Sequence, residues 1–292
     1  MSIDTLDKVN PRTHKSAHSR FGSKSRRVQF GFLCLLVPLF TMPFYVMIMA
    51  AFKTPQFAEV TTMWLLPSPF SFDGLSEAWS KLSPNLMNSF IMVVPAVVIS
   101  SAIGSFNGYL LSKFTFRFSN IMFTMMLVGM FIPYQSILIP LVKFLQLVNL
   151  YGTIPGLVLV HVVYGIPITT LIFRNFYVSI PKEIVEAAAI DGAGILKTFF
   201  AVIVPLSIPG FVVAGIFQFT NIWNDFLFGV VFAGTQNWPM TVQLNNLVNT
   251  TFGERRYHID MAATILTSLV PLLVYFFSGR WFVRGIAAGA VK

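Results

Sequence analysis

The sequence predicts an all-α integral membrane protein with six transmembrane helices. The first observation is composition, since 55% of the 292 residues are hydrophobic, 11% are charged and the mean hydropathy is +0.72. One soluble core cannot bury that much apolar surface. The second observation is that the apolar residues gather in six stretches. Each stretch has the length of about 20 helical residues that a bilayer core requires.

The six predicted spans follow one another along the chain with polar connections between them. They cover residues 28–52, 86–112, 121–145, 156–178, 199–226 and 261–282. Prolines punctuate these stretches at Pro38, Pro43, Pro95, Pro133, Pro140, Pro167 and Pro209. Membrane helices accept proline where neighbouring helices or water satisfy the freed backbone carbonyl. Several kinked helices around a cavity favour a transport protein over a simple anchor.

The distribution of lysine and arginine predicts the orientation, because basic residues concentrate on the cytoplasmic side. The N-terminal tail, the connections after the second and fourth spans and the C-terminal end hold 15 of the 20 basic residues. We therefore expect both termini in the cytoplasm. The predicted domain bounds are 1–27 for a basic tail, 28–282 for the membrane domain and 283–292 for a C-terminal tail.

The basic tail has three interpretations: a nucleic-acid-binding arm, a contact with anionic lipid, and a topology signal. No aromatic residues interleave with its charges before Phe21, whereas single-stranded nucleic acid is usually bound by stacking on aromatic rings. We interpret the tail as a topology signal and expect membrane lipid, but no nucleic acid, as a partner.

The connection at about 179–198, between the fourth and fifth spans, carries the most informative pattern. Ser179 is a candidate helix cap, Pro181 suits a first turn, and Gly192 suits the left-handed backbone that ends a helix. The residues that form the pattern are Glu186, Ala187, Ala188, Asp191, Gly192, Ala193 and Pro205. This spacing resembles the cytoplasmic E-A-A loop of permease subunits in binding-protein-dependent ABC importers. Without that resemblance, the segment would read as an amphipathic helix on the membrane surface.

The resemblance implies the six-helix type I ABC importer permease fold, with a cytoplasmic helix that docks on an ATPase. It implies four kinds of partner: a second homologous permease chain, two ATPase subunits, a periplasmic or lipid-anchored sugar-binding protein, and lipid. The seven residues of the pattern would then couple the membrane domain to the ATPase. The chain itself would bind no cofactor, since ATP and Mg would be used by the ATPase subunits, and it would sit in a bacterial or archaeal cytoplasmic membrane.

Further landmarks extend the resemblance to sugar permeases of the maltose-transporter type. They are Pro133-Tyr134-Gln135, Leu150-Tyr151-Gly152, Gly165-Ile166-Pro167 and the tail from Arg280 to Lys292. The tail implies a second ATPase contact through Gly285, Ala288 and Gly289; a frayed cytoplasmic end is the alternative. Residues 223–229 and 239–246 look most like the glucose/mannose-type branch. A permease for a polyamine, an amino acid or glycerol phosphate is the alternative.

Polar residues within spans are costly and tend to line cavities, which makes them candidates for the solute pathway. The candidates are Gln135, Gln218, Asn221, Asn224 and Asp225, with Trp223, Phe219 and Phe226 as rings for a sugar face. Asn221 and Asp225 are four residues apart and share a helix face. The alternative is structural: Asn224 and Asp225 would cap the span, and Gln135 would satisfy a kink near Pro133. Gly104-x3-Gly108 predicts close helix packing.

The sequence gives no basis for catalysis. Gly194-Ile195-Leu196-Lys197-Thr198 only partly matches a phosphate loop, because the glycine before the lysine and the earlier spaced glycine are missing. The four histidines have no zinc-type spacing and Cys34 has no thiol partner. A secondary transporter would show internal repeats and intramembrane charges, and an aspartyl protease would need Asp225 and Asp260 to share a proton. We expect a non-enzymatic subunit.

Overall fold

The computed structural model describes residues 23–249 and 255–290, with side chains at 28–249 and 255–279. Within these ranges it contains helices and turns and no strand. The α-helices are α1 (Ser23–Ala51), α2 (Asp73–Lys113), α3 (Ser119–Met130), α4 (Leu138–Leu147), α5 (Ile154–Val178), α6 (Lys182–Ile190), α7 (Ile195–Thr198), α8 (Val204–Leu206), α9 (Ile208–Trp223), α10 (Leu227–Phe232), α11 (Met240–Asn249) and α12 (Tyr257–Ala290). The predicted all-α class is confirmed.

Four helical stretches are long and apolar enough to cross a membrane. They are Val28–Ala51, Asp73–Lys113, Ile154–Val178 and Tyr257–Gly279. Two further candidates are bent pairs: Ser119–Met130 with Tyr134–Leu147 at 92°, and Ile195–Leu206 with Ile208–Trp223 at 78°. The chain therefore has six spans if each bent pair crosses as one unit, which is the predicted number.

The third and fifth spans, predicted as apolar stretches kinked at proline, are each divided into two helices by a sharp bend. The third breaks between α3 and a 3₁₀ turn at Tyr134–Ile137, because Pro133 lacks an N–H and disfavours helical angles at the residue before it. The fifth breaks at Ser207, after which Pro209 occupies the first turn of α9. A π-helical turn at Phe199–Ile203 precedes that break. The bends at Pro133 and Pro209 fit the predicted role of the prolines.

The second helix also differs from its prediction, since α2 begins at Asp73 rather than near residue 86. It has 41 residues, of which the first part is polar and amphipathic. At 1.5 Å per residue such a helix is about 60 Å long, roughly twice the thickness of a bilayer core. The helix therefore extends well beyond the hydrocarbon layer, and hydropathy identifies only its apolar portion.

The chain divides by its internal contacts into a unit ending at Met47 and a unit from Ile48 to Lys292. In the described part of the first unit, the large side chains from Val28 to Phe44 are exposed except that of Leu36, which is half-buried, and Cys34 is exposed too. Such an apolar surface suits contact with lipid. The first 22 residues, including most of the predicted basic tail, lie outside the described range.

The second unit is organised by the packing of α2 against α5. A Cβ added at Gly104 would lie 2.1 Å from Thr169 Oγ1, and one added at Gly108 would lie 2.7 Å from the backbone nitrogen of Arg174. The predicted close packing at Gly104-x3-Gly108 is confirmed. Thr169 Oγ1 donates to the carbonyl of Ser100 at 2.9 Å, which adds a hydrogen bond between the two helices.

Gly104→Ala should destabilise the chain by about 1–3 kcal/mol, because the added methyl meets backbone as well as side-chain atoms of α5. The matched control is Gly215→Ala in α9, where an added Cβ meets nothing within 4 Å. The control should be neutral or slightly stabilising, since alanine favours helix over glycine. Thermal unfolding of the purified full-length chain in detergent would measure both, and equal melting temperatures for the two variants would contradict this packing.

Candidate functional site

The predicted coupling segment contains a short helix with no buried residue. Helix α6 follows Pro181, whose ψ of 140° is extended, and it ends at Ile190. The predicted capping role of Ser179 is wrong, because its hydroxyl donates to the carbonyl of Phe176 at 2.6 Å and therefore belongs to the end of α5. Pro181 takes the cap position, and no side chain caps α6 there.

The turn after α6 has the hydrogen bonds of a Schellman motif. The Ala193 N–H donates to the carbonyl of Ala188 at 2.9 Å, and the Gly192 N–H donates to that of Ala189 at 3.0 Å. Gly192 has φ = +77°, the left-handed conformation predicted for it. The carbonyls of two residues at the end of α6 are thus hydrogen-bonded, and the glycine adopts the backbone angles that the turn requires. The end of the helix therefore has a defined backbone conformation.

The residues of the E-A-A pattern are largely accessible. Glu186, Ala187, Asp191 and Gly192 are exposed, whereas Ala188 and Ala193 are half-buried. Ile190 is 87% exposed and Leu196 is 60% exposed, so large apolar side chains accompany the charges. Pro205 lies apart from this group, exposed on α8 beyond the π-helical turn.

A second apolar cluster provides the base of the segment. Its buried members are Tyr109, Phe173, Tyr177, Phe199, Ile203 and Ala214, and Val185 of α6 packs against it. Lys113 Nζ donates to the carbonyl of Ile180, which links the end of α2 to the beginning of the segment. The segment is thus fixed to α2 and α5 rather than suspended on a free loop.

Three hydroxyl groups connect this base to the break in the fifth span. Ser105 Oγ lies 2.6 Å from Tyr177 Oη, which donates to Ser207 Oγ at 3.3 Å. Ser207 lies between α8 and α9 and itself donates to the carbonyl of Ile203 at 2.6 Å. Side chains of α2 and α5 therefore hold the bend, and one of the carbonyls near it is satisfied.

A cavity of about 400 Å³ lies between α5 and α9. Gln218, Asn221 and Asp225 line it, together with Tyr134, Phe217 and Phe228. Two other predicted pathway residues lie elsewhere. Gln135 is exposed in the 3₁₀ turn, and Asn224 follows the last residue of α9. The structure thus brings three of the five candidates together.

These candidates also have structural roles. Asp225 Oδ2 accepts from the backbone N–H of Gly229 at 3.1 Å, so it bonds to the start of α10 and does not cap the end of the fifth span, as the structural alternative had it. Gln218 Nε2 donates to Ser100 Oγ at 3.1 Å. This bond passes close to Gly165, where a Cβ would lie 2.0 Å from the same nitrogen. Glycine at 165 therefore permits the contact from α9 to α2.

The aromatic residues expected beside a sugar are placed differently. Trp223 is 1% exposed, its ring stacks on Phe219, and its Nε1 donates to the carbonyl of Thr267 at 3.1 Å. It is a core residue, so the expected packing of Trp223 against a solute is wrong. Phe217 and Phe228 are the phenylalanines that line the cavity.

Two cavity residues were missed at the level of sequence: His161 and Tyr164. His161 Nε2 lies 3.8 Å from Asp225 Oδ2, and the imidazole is buried. The signal was present, since residues 161, 164, 165 and 168 follow helical spacing and all line the cavity. Within the described ranges, no group of three or more His, Cys, Asp or Glu side chains is placed to hold a metal ion.

The predicted second ATPase contact, Gly285, Ala288 and Gly289, lies in the last turns of α12. The backbone of α12 is described through Ala290, and the side chains from residue 280 onward are outside the described set. The contact stays a prediction.

Several membrane spans, a polar cavity between helices and an anchored, exposed loop helix are features expected of a permease subunit of a membrane transporter. The chain belongs to the family of binding-protein-dependent transport system inner membrane components, whose pattern its residues 100–288 match. Members of this family are membrane components of ABC transporters and are not themselves enzymes.

Individual relatives agree with this assignment. A probable ABC transporter permease protein of Pyrococcus horikoshii is 52% identical over 56% of this chain and 59% of its own length. The xylose/arabinose import permease protein of Haloferax volcanii is 32% identical over 91% of this chain and 93% of its own. A chain of a bacterial ABC transporter involved in the import of the polysaccharide alginate superposes with a TM-score of 0.77 at 18% identity, covering 91% of this chain and 98% of that one. The type I importer permease fold is thereby confirmed.

Tyr177→Phe should destabilise the chain by about 1 kcal/mol, because it removes the hydroxyl that joins Ser105 to Ser207. Tyr109→Phe is the matched control: Tyr109 is equally buried in the same cluster, and its hydroxyl has no hydrogen-bond partner within the described residues. That control should be neutral or stabilising. Denaturation of both variants in detergent tests the difference, and a greater loss from Tyr109→Phe would exclude the proposed role of the network.

Proposed function

We propose that the chain forms half of the translocation pathway of an ATP-driven importer for a neutral monosaccharide of the glucose/mannose type. The other half would come from a second homologous permease chain. Two ATPase subunits would bind ATP and Mg, and a periplasmic or lipid-anchored binding protein would deliver the sugar. The observation that carries the proposal is the anchored, exposed segment from Lys182 to Leu196.

The shape of that segment supports a role in transmitting force to the pathway. A docking helix has to be accessible to its partner and rigidly joined to the part that moves. Glu186, Ala187 and Asp191 offer charge and small side chains on the exposed surface, with Ile190 and Leu196 as apolar anchors. Val185 and the Tyr177 hydroxyl network join the segment to the bend before α9, and α9 carries cavity residues.

The orientation that we propose has both termini in the cytoplasm. The contact between Lys113 and Ile180 supports it, because it sets the end of α2 beside the coupling segment. Both regions contain basic residues, and basic connections stay on the cytoplasmic side. The C-terminal tail from residue 283 would end on the same side, where Gly285, Ala288 and Gly289 would provide the second contact with the ATPase.

The chemistry of the cavity supports a neutral polyhydroxyl solute. Its polar groups are amides, hydroxyls, an imidazole and one carboxylate, beside the rings of Phe217 and Phe228. Glycerol phosphate would find no Lys or Arg among the lining residues to balance its charge. The glucose/mannose choice rests on the resemblance of residues 223–229 and 239–246, while the Haloferax relative makes xylose or arabinose the second candidate.

Reconstitution with the co-purifying subunits in proteoliposomes would test the solute class. We expect D-glucose or D-mannose, presented with the binding protein, to stimulate ATP hydrolysis and to be imported. We expect weaker stimulation of ATP hydrolysis and less import for D-xylose, L-arabinose, glycerol 3-phosphate and putrescine. Preferential import of a pentose would replace the hexose assignment, and import of a non-sugar alone would refute the sugar proposal.

Gly192→Ala should reduce solute-stimulated ATP hydrolysis and uptake about three- to tenfold, because a left-handed alanine costs about 1–2 kcal/mol and distorts the turn. Gly194→Ala is the matched control: both sites are open within 4 Å, and only Gly192 has positive φ. Gly192→Asn should recover part of the activity, since asparagine tolerates this conformation.

Gly192→Pro should abolish coupling while the complex remains inserted, since proline requires a φ near −65°. Membrane insertion and subunit assembly are checked by co-purification of the complex. Normal uptake by the Gly192→Pro variant would refute the docking role of this segment.

A further inference from the structure

We propose that His161, Tyr164 and Asp225 form a hydroxyl-binding subsite, through which this chain contacts the transported solute directly. The proposal rests on the proposed function, since the solute is the sugar that the importer carries. It adds a binding site that includes two residues not identified from the sequence, and it assigns the solute contact to the wall formed by α5 and the turn between α9 and α10.

The first argument is that two buried polar atoms on the cavity wall have no partner. His161 Nε2 and Tyr164 Oη are both inaccessible and make no hydrogen bond to any described residue. Leaving such groups unpaired in a folded protein costs about 1–3 kcal/mol each. Their positions on α5 differ by about one helical turn, so both face the same cavity. Both residues line the cavity, so a small rotation of either ring toward it would let a solute hydroxyl pair with the buried atom.

The second argument is the spacing of the imidazole and the carboxylate. His161 Nε2 and Asp225 Oδ2 are 3.8 Å apart, which exceeds the length of a direct hydrogen bond. One oxygen placed about 2.8 Å from each atom could bond to both. Asp225 is already held by the N–H of Gly229 at 3.1 Å, so its carboxylate is positioned before a solute arrives.

The third argument identifies the chemical group. A carboxylate only accepts hydrogen bonds, whereas a neutral imidazole donates or accepts according to its tautomer. A hydroxyl suits this pair with either tautomer because it both donates and accepts. A phosphate would be repelled by Asp225, and an ammonium group could bond to both atoms only in the tautomer whose Nε2 accepts. A neutral alcohol is the group that suits the pair in both tautomers.

The fourth argument is the apolar surface beside these polar groups. The ring of Phe228 lies 5.1 Å from that of Tyr164 and 5.5 Å from that of His161, measured between centroids. A sugar ring has polar edges and C–H faces, so a wall with hydrogen-bonding groups next to an aromatic ring matches both. The subsite thus fits one ring of a saccharide.

Tyr164→Phe and His161→Phe test the proposal in the complete transporter, reconstituted with ATPase and binding protein. The readout is radiolabelled D-glucose or D-mannose imported per ATP hydrolysed. We expect a decrease of about threefold or more for Tyr164→Phe and about tenfold for His161→Phe, since each removes a hydrogen bond to the solute. His161→Gln retains polar atoms and should recover part of the loss.

Thr170→Val is the control, because it removes a buried hydroxyl of the same helix α5 that has no hydrogen-bond partner among the described residues and does not line the cavity. It should leave the import ratio unchanged. Import of a set of monodeoxy glucoses measures discrimination between sugars, which a purely structural effect would not change. The wild type should discriminate against at least one of them, and His161→Phe should lose that discrimination.

The results separate this proposal from the proposed function. Sugar import by the wild type, with unchanged import and discrimination in both cavity variants, would overturn the subsite and leave the function intact. Equal losses in Tyr164→Phe and Thr170→Val would also overturn it, because they would indicate a general effect on stability. If the wild type imported no sugar, the proposed function would fail and the subsite would fail with it.

Discussion

The close approach of α2 and α5 is the constraint on which the rest of the structure depends. Gly104 and Gly108 allow it, since any larger residue would meet the backbone of α5. Water drives helices together in soluble proteins, but lipid does not, so membrane helices associate through close contact and hydrogen bonds. The bond from Thr169 to Ser100 adds to this contact. Both functional regions are built on this pair: the coupling segment follows the end of α5, and the cavity is lined by the middle of the same helix.

The broken fifth span connects these two regions. A break exposes backbone carbonyls, which is costly in a bilayer unless side chains satisfy them. Ser207 bonds to the carbonyls of Ile203 and Val204, and Tyr177 bonds in turn to Ser207. The bend is therefore a defined element rather than a point of weakness. Because α9 begins directly after it, a displacement of the coupling segment would act on the helix that carries Gln218 and Asn221. A continuous helix would lack this hydroxyl-bonded corner between segment and cavity.

The sequence predicts what depends on local composition and fails where the outcome depends on neighbours. Apolar stretches identify the membrane class and the number of spans, and the residues after the short helix identify the left-handed Gly192, because each follows from one segment. Hydropathy misses the polar start of α2. The prolines predict the kinks at Pro133 and Pro209, but the size of each bend depends on the neighbouring helices. Ser179 was assigned to the wrong helix because it lies between two helix ends. Trp223 was expected at a solute and packs on Phe219 instead, while His161 was overlooked because its relation to Asp225 joins positions far apart in the chain.

A subsite with few polar groups is suited to a pathway, because a solute has to leave it as readily as it enters. Tight binding in the membrane would raise the barrier to release by the free energy gained in the bound state. A binding protein that captures the solute removes the need for high affinity in the permease. The permease then needs only enough hydrogen bonds to replace the water that a sugar loses on entering a narrow cavity. A few polar groups beside the ring of Phe228 meet that requirement, and the charge of Asp225 adds discrimination against anions. Selectivity by neutrality and hydroxyl content is what such a wall can supply, while recognition of the whole sugar would belong to the binding protein that we propose as its partner.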